Sequence, residues 1–331
     1  MLPRVAIIGC GLIGQKRAKA LSGATFVACA DLELGRAEAL AKSFPNVSAS
    51  SHIEEIIHRP DVDIVIVATT NDALTKISKL AVQAGKHVLV EKPAARSIQE
   101  LEDLIVAAEK AHVQVRVGFN HRYHPALQKA RELVDAGELG ELMFIRGRYG
   151  HGGRLGYEKE WRADPKLSGG GELIDQGVHL IDLARWFLGD FQKISGFAHT
   201  YFWQMPVDDN GFMMLRTAAQ QTAFLHVSCT EWKNLFSFEI YGKKAKIAID
   251  GLGKSYGKEK LTFYKMLPQM GVPEITTWEY PEEDRSWNLE FSEFLEDIRL
   301  KRLPAANLKD ARAALVIIEQ IAKESGYDYH S

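Results

Sequence analysis

The residues best suited to chemistry stand in three places. The first is VAIIGCGLIG, where Gly9, Gly11 and Gly14 keep G-x-G-x-x-G spacing between an apolar run and an expected helix. In such a turn the first glycine permits the tight bend, the second lets the backbone approach a pyrophosphate, and the third lets helix and strand pack closely. The N–H groups at the helix start carry a partial positive charge that favours phosphate. Gly9, Gly11, Leu12, Ile13 and Gly14 are therefore expected to cradle a dinucleotide. Asp31 ends the next apolar run, about 20 residues on, where an acid accepts hydrogen bonds from the adenosine ribose hydroxyls. A carboxylate there repels a 2′-phosphate, and the sequence Asp31-Leu32-Glu33 puts no arginine beside it. NAD is favoured over NADP; Arg36, a turn into the following helix, moderates that preference.

The second place is the strand-like HVLVEKPAA, which ends in Glu91-Lys92-Pro93. A lysine between an apolar strand and a proline, at the ligand edge of a nucleotide-binding sheet, brings an ammonium near the nicotinamide, and Glu91 arrives at the same edge. A cis Lys92–Pro93 bond would hold that lysine in a rigid turn. Thr69, Thr70 and Asn71 follow the IVIVA run at this edge, with Asn71 or Asp72 expected to cap the next helix. The third place is GGGELIDQGVHLIDL, where Asp175 and His179 stand four apart on an expected helix and so share a face. Gly169, Gly170 and Gly171 let the backbone bend close to a ligand. A histidine near a carboxylate suits acid–base work near neutral pH. Asp182, three residues after His179, is the alternative partner for it. Upstream, the glycine-rich stretch 151–171 offers His151, Arg154, Tyr157, Trp161 and Arg162, aromatic faces and charges for a polyhydroxylated substrate, with Glu158 and Lys159 expected in solvent.

The elements that must position these residues follow two rhythms. Through about residue 120, apolar strand-like runs at 4–8, 25–30, 64–68, 87–90 and 113–117 alternate with helical patterns at 12–21, 34–44, 53–57, 73–84 and 98–111. That alternation specifies a doubly wound parallel sheet, and the continuous apolar IVIVA marks a strand covered on both faces. Gly85 is the expected stop of the 73–84 helix. Beyond residue 120 a helix at 125–136, a strand at 141–149 and a helix at 172–187 precede strands at 194–200, 211–217, 222–229, 236–241, 245–249, 261–264 and 275–280. Helices at 288–299 and 308–324 follow. Consecutive strands joined by turns indicate an antiparallel sheet. The expected architecture is thus α/β: an N-terminal Rossmann domain, 1–120, and a C-terminal α+β domain, 121–331, with a large open, mainly antiparallel sheet. Such a sheet must cover its second face, so a homodimer or homotetramer through it is expected.

Taken in order, E-K-P at 91–93, G-F-N-H-R-Y at 118–123 and G-G-G-x-x-x-D-x-x-x-H at 169–179 resemble the Gfo/Idh/MocA oxidoreductases along nearly the whole chain. The resemblance implies that Lys92 contacts the reacting hydroxyl, Asp175 positions substrate and supports proton transfer, and His179 is the general base. It implies that Asn120 and Arg122 lie near nicotinamide and substrate, and that Trp161 and Arg162 contact the nicotinamide end. One departure stands out: members often read T-P-N-x-x-H after the fourth strand, and here Thr70 replaces the proline and Leu74 the histidine. The implied activity is hydride transfer between NAD and a secondary alcohol of a sugar, sugar derivative or cyclitol. Alternatives sharing the motifs are an NAD-dependent glycosidase with an internal redox cycle and a non-catalytic NAD/sugar sensor. A biliverdin reductase-like reduction would not obviously need His179.

Composition narrows the remaining classes. The chain has 331 residues, a formal net charge of -2 and 46% hydrophobic residues. No basic excess speaks for nucleic acid, and no apolar run approaches the ~20 residues that span a bilayer. The start of the chain lacks a charged stretch, an apolar run and a cleavage site, so a cytoplasmic location is expected. Cys10, Cys29 and Cys229 are scattered, are expected to be buried reduced thiols, and show no zinc-ligand spacing; no metal is expected.

Overall fold

The computed structural model describes residues 2–329. The chain divides into two compact units, one running to Asn120 and including Trp287–Arg312, the other comprising His121–Ser286 and the described residues from Ala313 onward.

In the first unit strands and helices alternate: β1 (Arg4–Ile8), α1 (Leu12–Lys19), β2 (Thr25–Ala30), α2 (Leu34–Ala41), β3 (Ser48–Ser50), α3 (Ile53–Ile57), β4 (Ile64–Val67), α4 (Asn71–Gln83), β5 (His87–Val90), α5 (Ile98–Ala111) and β6 (Val115–Val117). All neighbours pair in parallel, in the order β3-β2-β1-β4-β5-β6. The order reverses beside β1, which creates the crevice where ligands of such sheets bind. Every residue of β4 is buried, as a strand covered on both faces must be. Gly85 ends α4 with a φ of 74°, a left-handed conformation that glycine adopts without Cβ strain. The short polar β3, SAS, carries no apolar signal in the sequence.

In the second unit α6 (Pro125–Asp135) leads to β7 (Leu142–Gly150), and α7 (Pro165–Ser168), α8 (Glu172–Asp175) and α9 (Gly177–Leu188) follow. Then come β8 (Phe191–His199), β9 (Asn210–Thr217), β10 (Thr222–Ser228), β11 (Leu235–Gly242), β12 (Ala245–Asp250), β13 (Glu259–Lys265) and β14 (Glu274–Tyr280). The eight strands form one sheet, order β14-β13-β12-β11-β7-β10-β9-β8, antiparallel except for the β7–β10 pair. Alternating burial along β7, β10 and β11 separates a covered face from an open one. On the covered face Gly147 leaves room for Leu180 of α9, whose side chain lies 3.3 Å from where a Cβ would be.

Two sequence expectations are corrected. Residues 287–312, expected in the second domain, belong to the first unit. The reason lies in α10 (Ser286–Leu300), which precedes the final α11 (Leu308–Glu324). Phe291 and Phe294 of α10 join Val5, Ile7, Cys29, Ile66 and Leu89 in one apolar cluster. Two fully buried arginines, Arg17 and Arg116, find their carboxylates on α10, at Glu290 and Asp297. A buried guanidinium without such a partner would cost several kcal/mol. Second, the helix expected at 172–187 is interrupted between α8 and α9. The His179 N–H donates to the Gln176 carbonyl at 3.1 Å, three residues back. Gly177 at the step is a poor helix former.

Candidate functional site

The glycine loop has the geometry its spacing implies. Gly9 has a φ of 94°, and a Cβ there would lie 2.4 Å from the Ala68 carbonyl oxygen. A Cβ on Gly14 would meet the Gly9 carbonyl at 1.9 Å, whereas around Gly11 nothing lies within 4 Å. Only Gly11 therefore opens onto free space at the helix start, where a pyrophosphate needs close backbone approach. Leu12 and Ile13 form the first turn of α1. The Asp31 carboxylate closes the loop: Oδ2 accepts the Cys10 N–H at 2.8 Å and Oδ1 the Glu33 N–H at 3.0 Å. Arg36 pairs with Glu33 at 2.9 Å on the exposed start of α2. These residues fit a bound NAD.

Thr69, Thr70 and Asn71 follow β4 at the same edge. Thr70, rather than Asn71 or Asp72, is the N-cap residue of α4, and its hydroxyl donates to Asp72 at 2.6 Å. Asn71 is the first helical residue and is buried. Leu74, where relatives often carry histidine, is fully buried in α4. Lys92 follows β5 at the strand-end edge and is partly buried, and the Lys92–Pro93 bond is cis, as expected. Glu91, expected at the cofactor, is engaged by Arg17, whose Nε donates to Oε1 at 2.6 Å. Arg17 also donates to Glu290 at 2.5 Å and lies over the Trp287 ring at 4.3 Å. Asn120 is buried at the start of a 3-10 turn, Asn120–Tyr123.

In the second unit His179 is 5% exposed and stacks on His121, ring centroids 3.8 Å apart and planes 17° from parallel. Tyr149 meets His121 edge-on at 5.2 Å. Asp175 receives the Arg162 Nε–H at 3.1 Å, and that guanidinium lies 4.5 Å from the Trp161 ring centroid. Arg162, expected with Trp161 at the nicotinamide end, is held here by the carboxylate of Asp175. Arg122, expected at the substrate, makes a buried two-pronged pair with Asp182 at 2.8 and 2.5 Å. The reason is charge: a guanidinium this buried requires a carboxylate. Tyr157, also expected at the substrate, is 3% exposed and donates to Glu172 at 2.8 Å beneath Trp203.

Several residues of this neighbourhood escaped the sequence reading. Glu172, next to the triple glycine, also lies 3.4 Å from His151 Nε2. Burial pushes His151 down, but Glu172 and Asp175 outweigh it and its pKa is raised. Asp208 accepts the Gly171 and Leu173 N–H groups at 3.1 and 2.8 Å and the Tyr329 hydroxyl at 2.5 Å. A Cβ on Gly171 would fall 1.9 Å from the Asp208 carbonyl oxygen. The third glycine is therefore a packing requirement against Asp208, not a flexible approach to ligand. The run Asp208-Asp209-Asn210, polar yet opening an apolar strand, is the one sequence signal for this anchor.

Residues 3–119 match the Rossmann-fold, NAD-binding model of an oxidoreductase family, and residues 127–248 match the C-terminal domain of Gfo/Idh/MocA proteins. The chain belongs to the Gfo/Idh/MocA oxidoreductase family, and residues 3–119 are that family's NAD-binding domain. It is 30% identical over 236 residues to a levoglucosan dehydrogenase of Pseudarthrobacter phenanthrenivorans, covering 64% of this chain and 58% of that protein. It is 30% identical over 201 residues to the NAD(+)-dependent scyllo-inositol 2-dehydrogenase of Bacillus subtilis, covering 58% and 56% respectively. The chain thus spans a little over half the length of these curated relatives. Among solved structures, levoglucosan dehydrogenase with NADH superposes with a TM-score of 0.87 at 22% identity, over 98% of this chain and 97% of that one. An NAD-binding oxidoreductase from Klebsiella pneumoniae gives 0.87 at 20% identity, over 98% and 97%. Among the described residues no helix is long and apolar enough to cross a membrane, and no cluster of three potential metal ligands occurs.

Proposed function

We propose that this chain is an NAD-dependent dehydrogenase that oxidises a secondary alcohol of a sugar, sugar derivative or cyclitol. The observation that supports it most is the placement of Lys92 at the end of β5, on the strand-end edge that also carries the glycine loop and Asp31. The relatives named for levoglucosan and scyllo-inositol act on polyhydroxylated rings and point to the same substrate class.

When bound, NAD+ supplies the hydride acceptor. His179 takes the hydroxyl proton, and its stacking on His121 holds the ring plane for that transfer. The Lys92 ammonium stabilises the developing alkoxide, so the substrate leaves as a ketone once its carbon has given up hydride. Asp175, oriented by Arg162, positions the neighbouring hydroxyls. Asn120, Trp161 and Arg162 are the residues that would hold the nicotinamide end.

The test follows reduced-nicotinamide absorbance with NAD+ or NADP+ over inositols, free sugars, uronic acids and sugar nucleotides. Turnover with one class and NAD+ is expected. Lys92→Met is expected to lower it about 10²–10⁴-fold with NAD affinity nearly unchanged. Retained activity in that variant would remove Lys92 from the mechanism. Silence across the panel with NAD bound would favour the internal-redox glycosidase or the sensor.

A further inference from the structure

The first unit holds a second concavity. A cavity of about 700 Å³ lies between the C-terminal half of α5, the starts of β5 and β6, and the segment joining α10 to α11. Because the sheet is parallel, this is the edge opposite the glycine loop, and its size is ordinary for a small-molecule site. None of the residues assigned to cofactor or substrate lines it.

Its lining has two characters. Ala108, Val115 and Leu308 are buried and, with the partly buried Ile105 and Ile298, make an apolar floor. The rim carries exposed Lys301, Lys309 and His112 against a single carboxylate, Glu109. Neither lysine makes an ion pair with any described residue. Lys301 and His112 follow helix ends, where a cation is favoured in any case. Lys309 does not share that excuse: it stands in the first turn of α11, where the helix dipole disfavours a cation. His87 adds a directed donor. Its Nδ1 accepts the Gln114 N–H at 3.0 Å, so a neutral ring keeps its proton on Nε2. Burial holds the ring neutral by lowering its pKa.

We propose that this cavity binds a small organic carboxylate with an apolar body. The body rests on Ala108, Ile298 and Leu308, the carboxylate is held by Lys301 and Lys309, and His87 donates to a polar atom of the ligand. A lysine pair with no arginine in the lining suits a monoanion better than a phosphate. The apolar floor requires the hydrocarbon part. The proposal is independent of the dehydrogenase reading.

The test uses the full chain and ¹⁹F NMR of 4-(trifluoromethyl)benzoate, with 4-(trifluoromethyl)benzyl alcohol as the uncharged probe of the same body. Saturable binding of the benzoate is expected, with the alcohol at least about tenfold weaker. Lys301→Glu with Lys309→Glu is expected to weaken the benzoate about tenfold, two exposed ion pairs together being of that order. Ala108→Phe, which fills the floor, is expected to abolish binding of both probes, and its circular dichroism reports whether it folds. NADH is expected not to displace the benzoate. Equal binding of the two probes, an unchanged affinity in the double lysine variant, or displacement by NADH would each overturn the proposal.

Discussion

At the residue scale, two carboxylates lead to opposite kinds of experiment. Asp31 is fixed by the Cys10 and Glu33 N–H groups, so its charge stays where a ribose 2′-hydroxyl would meet it. Asp31→Ser is expected to weaken NAD+ and to raise the relative use of NADP+ by about tenfold or more, read as the ratio of kcat/KM for the two cofactors. An unchanged ratio would show that selectivity resides elsewhere. Asp208 is fully buried, and desolvation raises its pKa from 3.8 to about 6 despite its three donors. Raised in the fold, this group contributes stability that is present below pH 3.8 and lost as pH rises through about 6. The size is on the order of 3 kcal/mol. Wild type minus Asp208→Asn, followed by urea unfolding from pH 4 to 7, should fall across that window; a flat difference would mean the carboxyl ionises as freely in the fold as outside it. The sequence shows why one of these was legible and the other was not. Asp31 follows a glycine motif at fixed spacing, whereas Asp208 works through backbone partners 35 and 37 residues away.

At the element scale, the glycine loop and the strands of the parallel sheet were readable because each carries a local signal, glycine spacing or an unbroken apolar run. The interruption between α8 and α9 was not, because the apolar spacing of 172–187 continues across it, and the only local mark is Gly177. The charge partners of Glu91 and Arg122 were not readable either, for a related reason. Each sits in a motif at a functional edge, yet its partner, Arg17 or Asp182, is a charge that only tertiary structure brings near. The α10 carboxylates follow the same rule. Glu290→Gln leaves the buried Arg17 with one carboxylate fewer and is expected to destabilise the protein by about 3 kcal/mol. Denaturant unfolding measures it, and a loss below about 1 kcal/mol would show that Glu91 alone neutralises Arg17.

At the scale of the whole molecule, the open face of the eight-stranded sheet bears Phe197, Phe212, His226 and Arg148 in one row and Met214, Phe224 and Arg146 in the next. Phe197, Met214 and Phe224 are 72%, 52% and 46% exposed. A contiguous apolar patch of that kind is costly in water. We expect it to pair with a second copy, as the open sheet already suggested from sequence. Phe224→Arg with Met214→Glu should lower the mass measured by light scattering to that of one chain; an unchanged mass would place the contact elsewhere or rule it out. The placement of Trp287–Arg312 bears on how the chain is made. On a ribosome the first 120 residues emerge long before Phe291, Phe294 and the two carboxylates that meet Arg17 and Arg116. Until those arrive the nascent Rossmann sheet lacks part of its apolar cover and the α10 carboxylates that meet its two buried guanidinium groups. The nucleotide-binding half therefore reaches its final form only after residues 287–312 have been made, and a fragment cut at residue 120 inherits the same deficit.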